Sequence, residues 1–339
     1  MNKDISIAVI GAGAIGGITA GYLSLAGYDV EIVCKHQEKV EQARNKGLHI
    51  TGVRGERFVK IKAVATVGEL SGKKDIVLVV TKAYDMPDAA RNALPFLKED
   101  STVVSMQNGI CVEAMAEIVG KERTVGCVIG WGANMLEDGT LRMTSEGEFV
   151  IGGLQPDKDL SQLEEVFGSV IQTRISQNII ADLYTKLIIN SCISSMGVLC
   201  GLSLGEMLKM SIARNIFINI MREAIYVANA MKLHVPPFGG KLDYYSLIKG
   251  NGPVAVFKRY LLIRIIGFKY RRLKSSSLQS LRRGKPTEID YFNGYIVKKG
   301  KELGVPNPVN ERTVQMVKEI EAGKREVAVN NLYDEGLKA

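Results

Sequence analysis

Two groups of residues in this sequence have the types and the spacing that chemistry requires. The first is the run Gly11-Ala12-Gly13-Ala14-Ile15-Gly16, in which the glycines follow a G-x-G-x-x-G pattern. In such a run the first glycine permits a tight turn, the second lets the backbone approach a pyrophosphate, and the third allows a helix to pack close to a strand. The run predicts a binding site for a dinucleotide.

The second group consists of Lys186, Asn190 and Ser194, which recur every four residues in a long apolar segment with helical spacing. Side chains four residues apart lie on one side of a helix, so these three form a polar stripe. Burying such groups without partners costs several kcal/mol, which favours a stripe that lines a polar cavity. An exposed helix edge is the alternative interpretation.

The elements around the glycine run fit a dinucleotide site. Residues 5–10 are apolar and rich in β-branched side chains, as expected for a buried parallel strand, and a helical pattern follows the glycines until Gly27. Strand, glycine turn and helix in this order are the context that the fingerprint requires. The free amides at the start of the helix would then face the phosphates.

The second predicted strand, residues 29–34, indicates which dinucleotide is bound. An NAD-selective site has an acidic residue at the end of this strand, whereas this chain has Cys34, Lys35 and His36 there, and Glu31 lies inside the strand. A cation cannot accept a hydrogen bond from the ribose hydroxyl but can neutralise a 2′-phosphate. We therefore expect NADP, with Lys35 contacting the phosphate; a solvated loop lysine is the alternative.

Two later strands end in polar residues. Residues 75–81 form an apolar strand followed by Lys82, and residues 102–106 form another that is followed by Gln107 and Asn108. Ligands of a doubly wound sheet lie beyond the carboxyl ends of its strands, so Lys82 and Asn108 are expected to border the cofactor. A surface lysine and a turn-forming Asn-Gly pair are the alternatives.

These patterns together predict the fold class. Strands and helices alternate in the first half, and the pattern is helical almost to the end after residue 177. We expect an α/β protein with an N-terminal Rossmann-type doubly wound sheet, residues 1–175, followed by an all-helical C-terminal domain, residues 176–339. Within the second domain, Pro286 predicts the first turn of a helix that continues to about Leu303, where Glu288 would suit the helix dipole.

Composition narrows the class of protein. Five scattered cysteines without a C-x-x-C pair, and no signal peptide, indicate reduced thiols in a cytoplasm. The three histidines have no metal-ligand spacing, and no apolar stretch is long enough to predict a membrane span. No metal is therefore expected, and no nucleic-acid motif is present.

The positive charge is concentrated in one segment. The net charge is +8, yet residues 241–285 alone contain twelve Lys or Arg and a single acid, Asp243. Three interpretations remain open: a packed helix with a solvated basic edge, a surface that steers an anionic substrate, and a helix that lies on a membrane surface.

Two motifs near the C-terminus are the most specific in the sequence: Ser-x-Leu-Gln at residues 276–279 and Thr-Glu-Ile-Asp-Tyr-Phe-Asn-Gly at residues 287–294. They occur together with the glycine run, Thr81-Lys82-Ala83, Gln107-Asn108-Gly109 and Lys186-x-x-x-Asn190. With these motifs, nearly the whole chain resembles the ketopantoate reductases (2-dehydropantoate 2-reductases). The resemblance implies NADPH-dependent reduction of a 2-oxo acid, ketopantoate, to pantoate in pantothenate synthesis. Independently of the resemblance, the apolar helices of the second domain make a homodimer possible.

The resemblance also implies roles for individual residues. Lys186 corresponds to the catalytic acid and Glu288 to its carboxylate partner, which the cofactor also contacts. The substrate-binding positions are Asn108, Asn190, Ser194 and Ser276, and the cofactor-binding positions are Gly11, Ala12, Gly13, Ala14, Ile15, Gly16, Lys35, Lys82 and Asn108. Two positions depart from the family pattern: Ser194 replaces a second Asn, and Leu204 replaces an Asn that contacts substrate in some members.

Two other functions remain possible from the sequence. Lys-x-x-x-Asn also resembles the β-hydroxyacid dehydrogenases, so the substrate could be another 2-oxo or 3-hydroxy acid. A nucleotide-sensing protein without turnover is the third hypothesis, against which the joint presence of Lys186, Asn190 and Glu288 argues.

Overall fold

The protein forms two compact units in a computed structural model that describes residues 4–155, 157–250, 252–271 and 273–338. The first unit comprises Met1–Leu183 and the second Tyr184–Ala339. The division falls inside a long helix, C-terminal to the boundary near residue 175 that the sequence predicts.

The first unit is built on an eight-stranded sheet with the order β12-β11-β8-β7-β6-β1-β2-β5. Its pairs are parallel except β8 with β11. A second sheet has the order β4-β3-β10-β9. The strands are β1 (Ser6–Ile10), β2 (Asp29–Val33), β3 (Leu48–Gly52), β4 (Arg57–Val59), β5 (Lys62–Val64), β6 (Lys74–Val79), β7 (Leu97–Ser105), β8 (Thr124–Ile129), β9 (Gly132–Met135), β10 (Leu141–Ser145), β11 (Phe149–Gly153) and β12 (Thr173–Ile175).

Helices connect the parallel strands of the first unit. They are α1 (Ala14–Leu25), α2 (Gln37–Lys46), α3 (Met86–Ala93), α4 (Val112–Val119) and α5 (Ser161–Gly168). The central strand β1 is buried on both faces, because the adjacent residues Ile7 and Ala8, which face opposite sides of the sheet, are both 0% exposed, as its apolar sequence predicts. Helix α3 ends at Ala93, because Pro95 cannot continue it and a 3-10 turn, Leu94–Phe96, follows.

The second unit is helical. Apart from one isolated bridge between Phe238 and Leu242, its described residues form helices, 3-10 turns and loops. The helices are α6 (Ile179–Cys200), which begins in the first unit, α7 (Leu204–Lys209), α8 (Ser211–Ala230), α9 (Tyr244–Ile248), α10 (Pro253–Lys269), α11 (Ser276–Arg282), α12 (Asn293–Leu303) and α13 (Pro308–Glu321). The predicted fold class is confirmed.

Helix α6 is long and apolar enough to cross a membrane by length and composition. In its most apolar window, however, 78% of the residues are buried inside the protein. That burial is typical of the core helix of a globular unit.

One predicted helix begins later than expected. In place of a helix from Pro286, a 3-10 turn spans Ile289–Tyr291 and α12 starts at Asn293. Phe292, with φ −110° and ψ −99°, lies outside the helical region and separates the two elements. The Thr287 hydroxyl accepts a hydrogen bond from the Ile289 amide at 3.2 Å, a local bond that competes with helix formation.

Candidate active site

The glycine run between β1 and α1 has little room for other residues at two positions. Gly11 has φ +121°, and a Cβ atom there would lie 2.9 Å from the carbonyl carbon of Val80 at the end of the neighbouring strand. A Cβ atom at Gly16 would overlap the carbonyl oxygen of Gly11. The first and third glycines therefore bring the turn, α1 and the end of β6 into close contact.

Gly13 is different because the space beside it is open. It is the exposed N-cap of α1, and a Cβ atom there would have no described protein atom within 4 Å. Because glycine has no side chain that could cap the helix, the first backbone amides of α1 are left for a ligand or water. The loop thus fits a pyrophosphate, as the fingerprint predicts.

A lysine is exposed at the end of β2, and a carboxylate is buried within the strand. Lys35 and His36 are exposed, whereas Cys34 is buried. Glu31 is 5% exposed and forms a buried ion pair with Lys74 at the start of β6, and it also accepts a 3.0 Å hydrogen bond from the Ser71 amide. Glu31 is therefore engaged within the sheet, and the first exposed charge after β2 is the Lys35 ammonium.

The ends of β6 and β7 lie side by side. Val79 pairs with Ser105, so Lys82 and Asn108, both half-buried, follow adjacent strand ends. Gln107, whose role the sequence reasoning missed, joins these ends: its Nε2 donates to the Val79 carbonyl at 2.7 Å and its Oε1 accepts from the Ser105 hydroxyl at 2.6 Å. The signal available in the sequence was the position of Gln107 in the Gln-Asn-Gly motif, directly after an apolar strand.

The polar stripe on α6 is partly enclosed. Lys186 and Asn190 are half-buried and Ser194 is 4% exposed. The Nδ2 atom of Asn190 is buried, and it has no hydrogen-bond partner within the described part of the chain. An unsatisfied buried amide is costly, and polar groups of this kind are found where a ligand or water completes the bonding.

The serines before α11 contact α6 through a residue that the sequence analysis did not select. Ser275 caps α11, accepting from the Leu278 amide at 3.1 Å, and its hydroxyl donates to the Ser194 carbonyl at 2.9 Å. A Cβ atom at Gly197 would overlap the Ser275 side chain, so glycine permits this approach. Ser276 is exposed at the first position of α11, one residue beyond this anchor.

Glu288 is 4% exposed and lies immediately before the 3-10 turn Ile289–Tyr291. Its neighbour Thr287 is fixed by a 2.7 Å hydrogen bond from its amide to Glu321 on α13. Glu288 therefore lies in a short segment that is hydrogen-bonded to α13 through Thr287. It does not lie in the first turn of an α-helix, where the sequence predicted it.

Family models match both units. "Ketopantoate reductase PanE/ApbA" matches residues 7–156, and "Ketopantoate reductase PanE/ApbA C terminal" matches residues 178–321. The chain belongs to the ketopantoate reductase family. The resemblance inferred from the sequence motifs is therefore confirmed.

Individual relatives of the ketopantoate reductase family agree over nearly the full length. A 2-dehydropantoate 2-reductase of Pyrococcus abyssi is 31% identical, covering 90% of this chain and 94% of the relative. The crystal structure of a PanE/ApbA family ketopantoate reductase from Ralstonia eutropha has a TM-score of 0.81 at 27% identity, covering 95% of this chain and all of the other. A D-mandelate dehydrogenase bound to NADH and anilino(oxo)acetate shares the fold, with a TM-score of 0.80 at 23% identity over 94% of this chain and 99% of that one.

This ketopantoate reductase family member has a buried apolar residue at position 204. Leu204 is 2% exposed at the start of α7, where Ser203 and Glu206 form a capping box. The local sequence therefore specifies a capped helix at this point, and the position offers no polar side chain to a substrate.

The described residues contain no group of three or more His, Cys, Asp or Glu that could hold a metal ion. All five cysteines are buried, and none of them forms a disulfide within the described residues. Burial raises the pKa of the Cys192 thiol, which disfavours the reactive thiolate form.

Proposed function

We propose that this chain catalyses the NADPH-dependent reduction of 2-dehydropantoate (ketopantoate) to pantoate, a step of pantothenate synthesis. Membership of the ketopantoate reductase family supports the reaction class. The observation that carries the assignment to this chain is the unsatisfied amide of Asn190, four residues from Lys186 on a half-buried helical stripe. Such a group needs an external acceptor, and a 2-oxo acid supplies carbonyl and carboxylate oxygens.

The first unit contributes the cofactor-binding residues. The loop from Gly11 to Gly16 accepts the pyrophosphate, the exposed Lys35 neutralises the 2′-phosphate, and Lys82 and Asn108 follow the strand ends that border the nicotinamide half. When bound, NADPH supplies a hydride to the carbonyl carbon of the substrate. The phosphate-binding part of this assignment rests on the open space beside Gly13.

The second unit contributes the acid. Negative charge develops on the carbonyl oxygen during reduction, and the Lys186 ammonium stabilises that charge and then supplies the proton. The buried carboxylate of Glu288 serves as an acceptor, either for the Lys186 ammonium or for the hydroxyl of the substrate. In this proposal Asn190, Ser194, Ser276 and Asn108 orient the substrate.

A substrate panel tests the reaction. We expect the purified chain to oxidise NADPH, followed by its absorbance, faster with ketopantoate than with other 2-oxo acids. Faster turnover of a different 2-oxo acid, or oxidation of a 3-hydroxy acid, would reassign the substrate within the oxidoreductases. NADPH binding without turnover of any of these acids would favour the sensor.

Substitution of Lys35 tests the choice of cofactor. A charge-assisted contact with a phosphate contributes about 1–2 kcal/mol at an exposed site, so Lys35→Ala should raise the KM for NADPH about fivefold to thirtyfold and leave the KM for NADH nearly unchanged. Steady-state kinetics with both cofactors measure this difference. Equal changes for the two cofactors would remove the phosphate-binding role.

We also propose that the chain acts in the cytoplasm and forms a homodimer. The buried cysteines, which form no disulfide among the described residues, support a reducing compartment, and the apolar helices of the second unit support association. Sedimentation equilibrium of the purified chain measures its mass in solution.

A further inference from the structure

The face of α10 that points away from the protein is apolar. Its side chains are exposed by 49–72% and recur at intervals of three and four residues, forming one stripe about 21 Å long at 1.5 Å per residue. The stripe consists of Val254, Phe257, Leu261, Ile265 and Phe268.

The opposite face of α10 already has its packing partners. Arg259, Ile263 and Gly267 are buried at four-residue intervals. Arg259 donates to the carbonyls of Lys249 and Gly250 at 3.0 and 2.6 Å, and a Cβ atom at Gly267 would lie 2.8 Å from the Cβ of Leu208 on α7. The helix is thus anchored, and rotating its apolar stripe inward would break these contacts.

Cations border the apolar stripe on both sides. By helical geometry, Arg264 lies on one side and Lys258 and Lys269 on the other, and all three are exposed. At its C-terminal end Arg271 lies 5.1 Å from the centre of the Phe268 ring, and Lys269 lies 5.3 Å from that of Tyr270. Helix α10 itself contains no acidic residue.

We propose that α10 docks this protein onto anionic phospholipid surfaces, with the apolar stripe buried between headgroups and the flanking cations paired with lipid phosphates. A helix with large apolar side chains on one face and Lys or Arg beside them is the form that binds in the plane of an interface. A second copy of the chain fits less well, because a two-fold contact would place the same cations against each other. The inference is independent of the proposed reaction.

Vesicle co-sedimentation with the full-length chain tests the docking. We expect binding to phosphatidylcholine vesicles that contain phosphatidylglycerol, weak binding to phosphatidylcholine alone, and a decline as salt is added. The double variant Phe257→Ser/Phe268→Ser should lower the affinity by at least about tenfold. Lys258→Gln/Lys269→Gln should lower it about tenfold or more, because each cation near an anionic surface contributes about fivefold.

Leu303→Ser is the matched control, because Leu303 is a 44% exposed apolar residue on another helix, and it should bind like the wild type. Circular dichroism and the thermal midpoint verify that each variant is folded. Absence of binding to anionic vesicles, or equal binding by the wild type and the double phenylalanine variant, would overturn the proposal. The proposal would also be overturned if the chain did not bind vesicles but formed a dimer that is lost in the double phenylalanine variant. That result would assign the apolar stripe to contact with a second copy of the chain.

Discussion

The buried Glu31–Lys74 pair in the sheet and the polar stripe on α6 differ in whether their buried polar groups have hydrogen-bond partners. Glu31 and Lys74 have side chains 6% and 2% exposed and satisfy each other, with Ser71 adding further bonds. On α6, the buried amide of Asn190 has no partner in the part of the chain that is described. A satisfied buried polar group serves the fold, whereas an unsatisfied one is left for a ligand or an ordered water to complete.

The second unit also contains buried polar groups that are fully hydrogen-bonded, namely Glu223 and its partner Asn310. Glu223 on α8 accepts bonds of 2.9 Å from the Val309 and Asn310 amides at the start of α13, and 2.7 Å from the Asn310 side chain. Burial raises the pKa of Glu223, an effect that the nearby Glu311 increases and these hydrogen bonds only partly offset. The Glu223 carboxylate therefore joins α8 to the start of α13. The second unit thus contains buried polar groups with a hydrogen-bond partner as well as one, the Asn190 amide, for which the described residues supply none.

The largest effect should come from Lys186, which lies four residues before Asn190 on α6. Lys186→Ala is expected to lower kcat by about 10²–10⁴-fold while NADPH still binds, because a positioned acid and charge stabiliser contributes that much. Turnover with ketopantoate and cofactor fluorescence measure the two properties. Lys298→Ala, at a side chain that is 73% exposed, is the control, and wild-type turnover in Lys186→Ala would remove this lysine from the mechanism.

Breaking the satisfied pair should instead affect folding. Lys74→Met leaves the buried Glu31 carboxylate without its cation, and we expect the free energy of unfolding to fall by about 3–5 kcal/mol in urea titrations. Lys62→Met is the matched control, because Lys62 pairs with Asp29 at 2.7 Å but is 65% exposed and should cost at most about 1 kcal/mol. Equal losses in the two variants would contradict the structural role of the buried pair.

Two asparagines sharpen the same comparison. Asn190→Leu should lower kcat/KM by about tenfold to a hundredfold with little change in unfolding free energy, since it deletes an amide that the fold leaves unpaired. Asn310→Leu should instead destabilise the protein by about 2–3 kcal/mol, because Glu223 and Asn293 lose a partner. Enzyme kinetics and denaturant titrations on both variants decide, and a large loss of stability in Asn190→Leu would show that its amide has a hydrogen-bond partner within the fold.

The smallest expected effect is a pH dependence. Burial raises the pKa of Glu31, but the hydrogen bonds from Lys74 and Ser71 outweigh it and bring the pKa below the usual 4.5. A carboxyl group with a depressed folded-state pKa stabilises the protein above its unfolded pKa, and this contribution is lost as pH falls through the folded value. The stability difference between wild type and Glu31→Gln should therefore be constant above about pH 5 and shrink by on the order of 1 kcal/mol below about 4.5.

Glu223 provides the opposite sign. Its folded-state pKa is raised, so protonation favours the native state, and the protein gains stability from this group as pH falls through the raised value. The difference in unfolding free energy between the wild type and each variant, Glu31→Gln or Glu223→Gln, should therefore change with pH in opposite directions when both are titrated across the same range. The same slope in both variants would show that the two carboxylates do not differ as their surroundings indicate.

Much of the first unit could be predicted from local sequence. The apolar run of β1, the glycine run and the strands that end before Lys82 and Asn108 are all present, because side-chain periodicity and glycine spacing are properties of a few neighbouring residues. The helix expected from Pro286 was wrong, because a threonine hydroxyl and a non-helical Phe292 redirect the backbone there. The individual roles of the site residues remain predictions.

The outward face of α10 could not be predicted. Its sequence mixes apolar and basic residues all round, and only the anchoring of Arg259 and Gly267 decides which side is buried. The serine that joins α11 to α6 was missed for the same reason, since Ser275, Ser276 and Ser277 are adjacent and identical in type. Contacts with distant residues give each of the three a different environment.

The sequence by itself determined the fold class, the dinucleotide fingerprint and the family of this protein, because these depend on spacing along the chain. Only the tertiary structure decided which buried polar groups are satisfied. Glu31 finds Lys74 across the sheet, and Glu223 finds the start of α13, while the Asn190 amide has no partner among the described residues. Hydrogen bonds form between groups that folding brings together, and a partner far along the chain leaves no local signal.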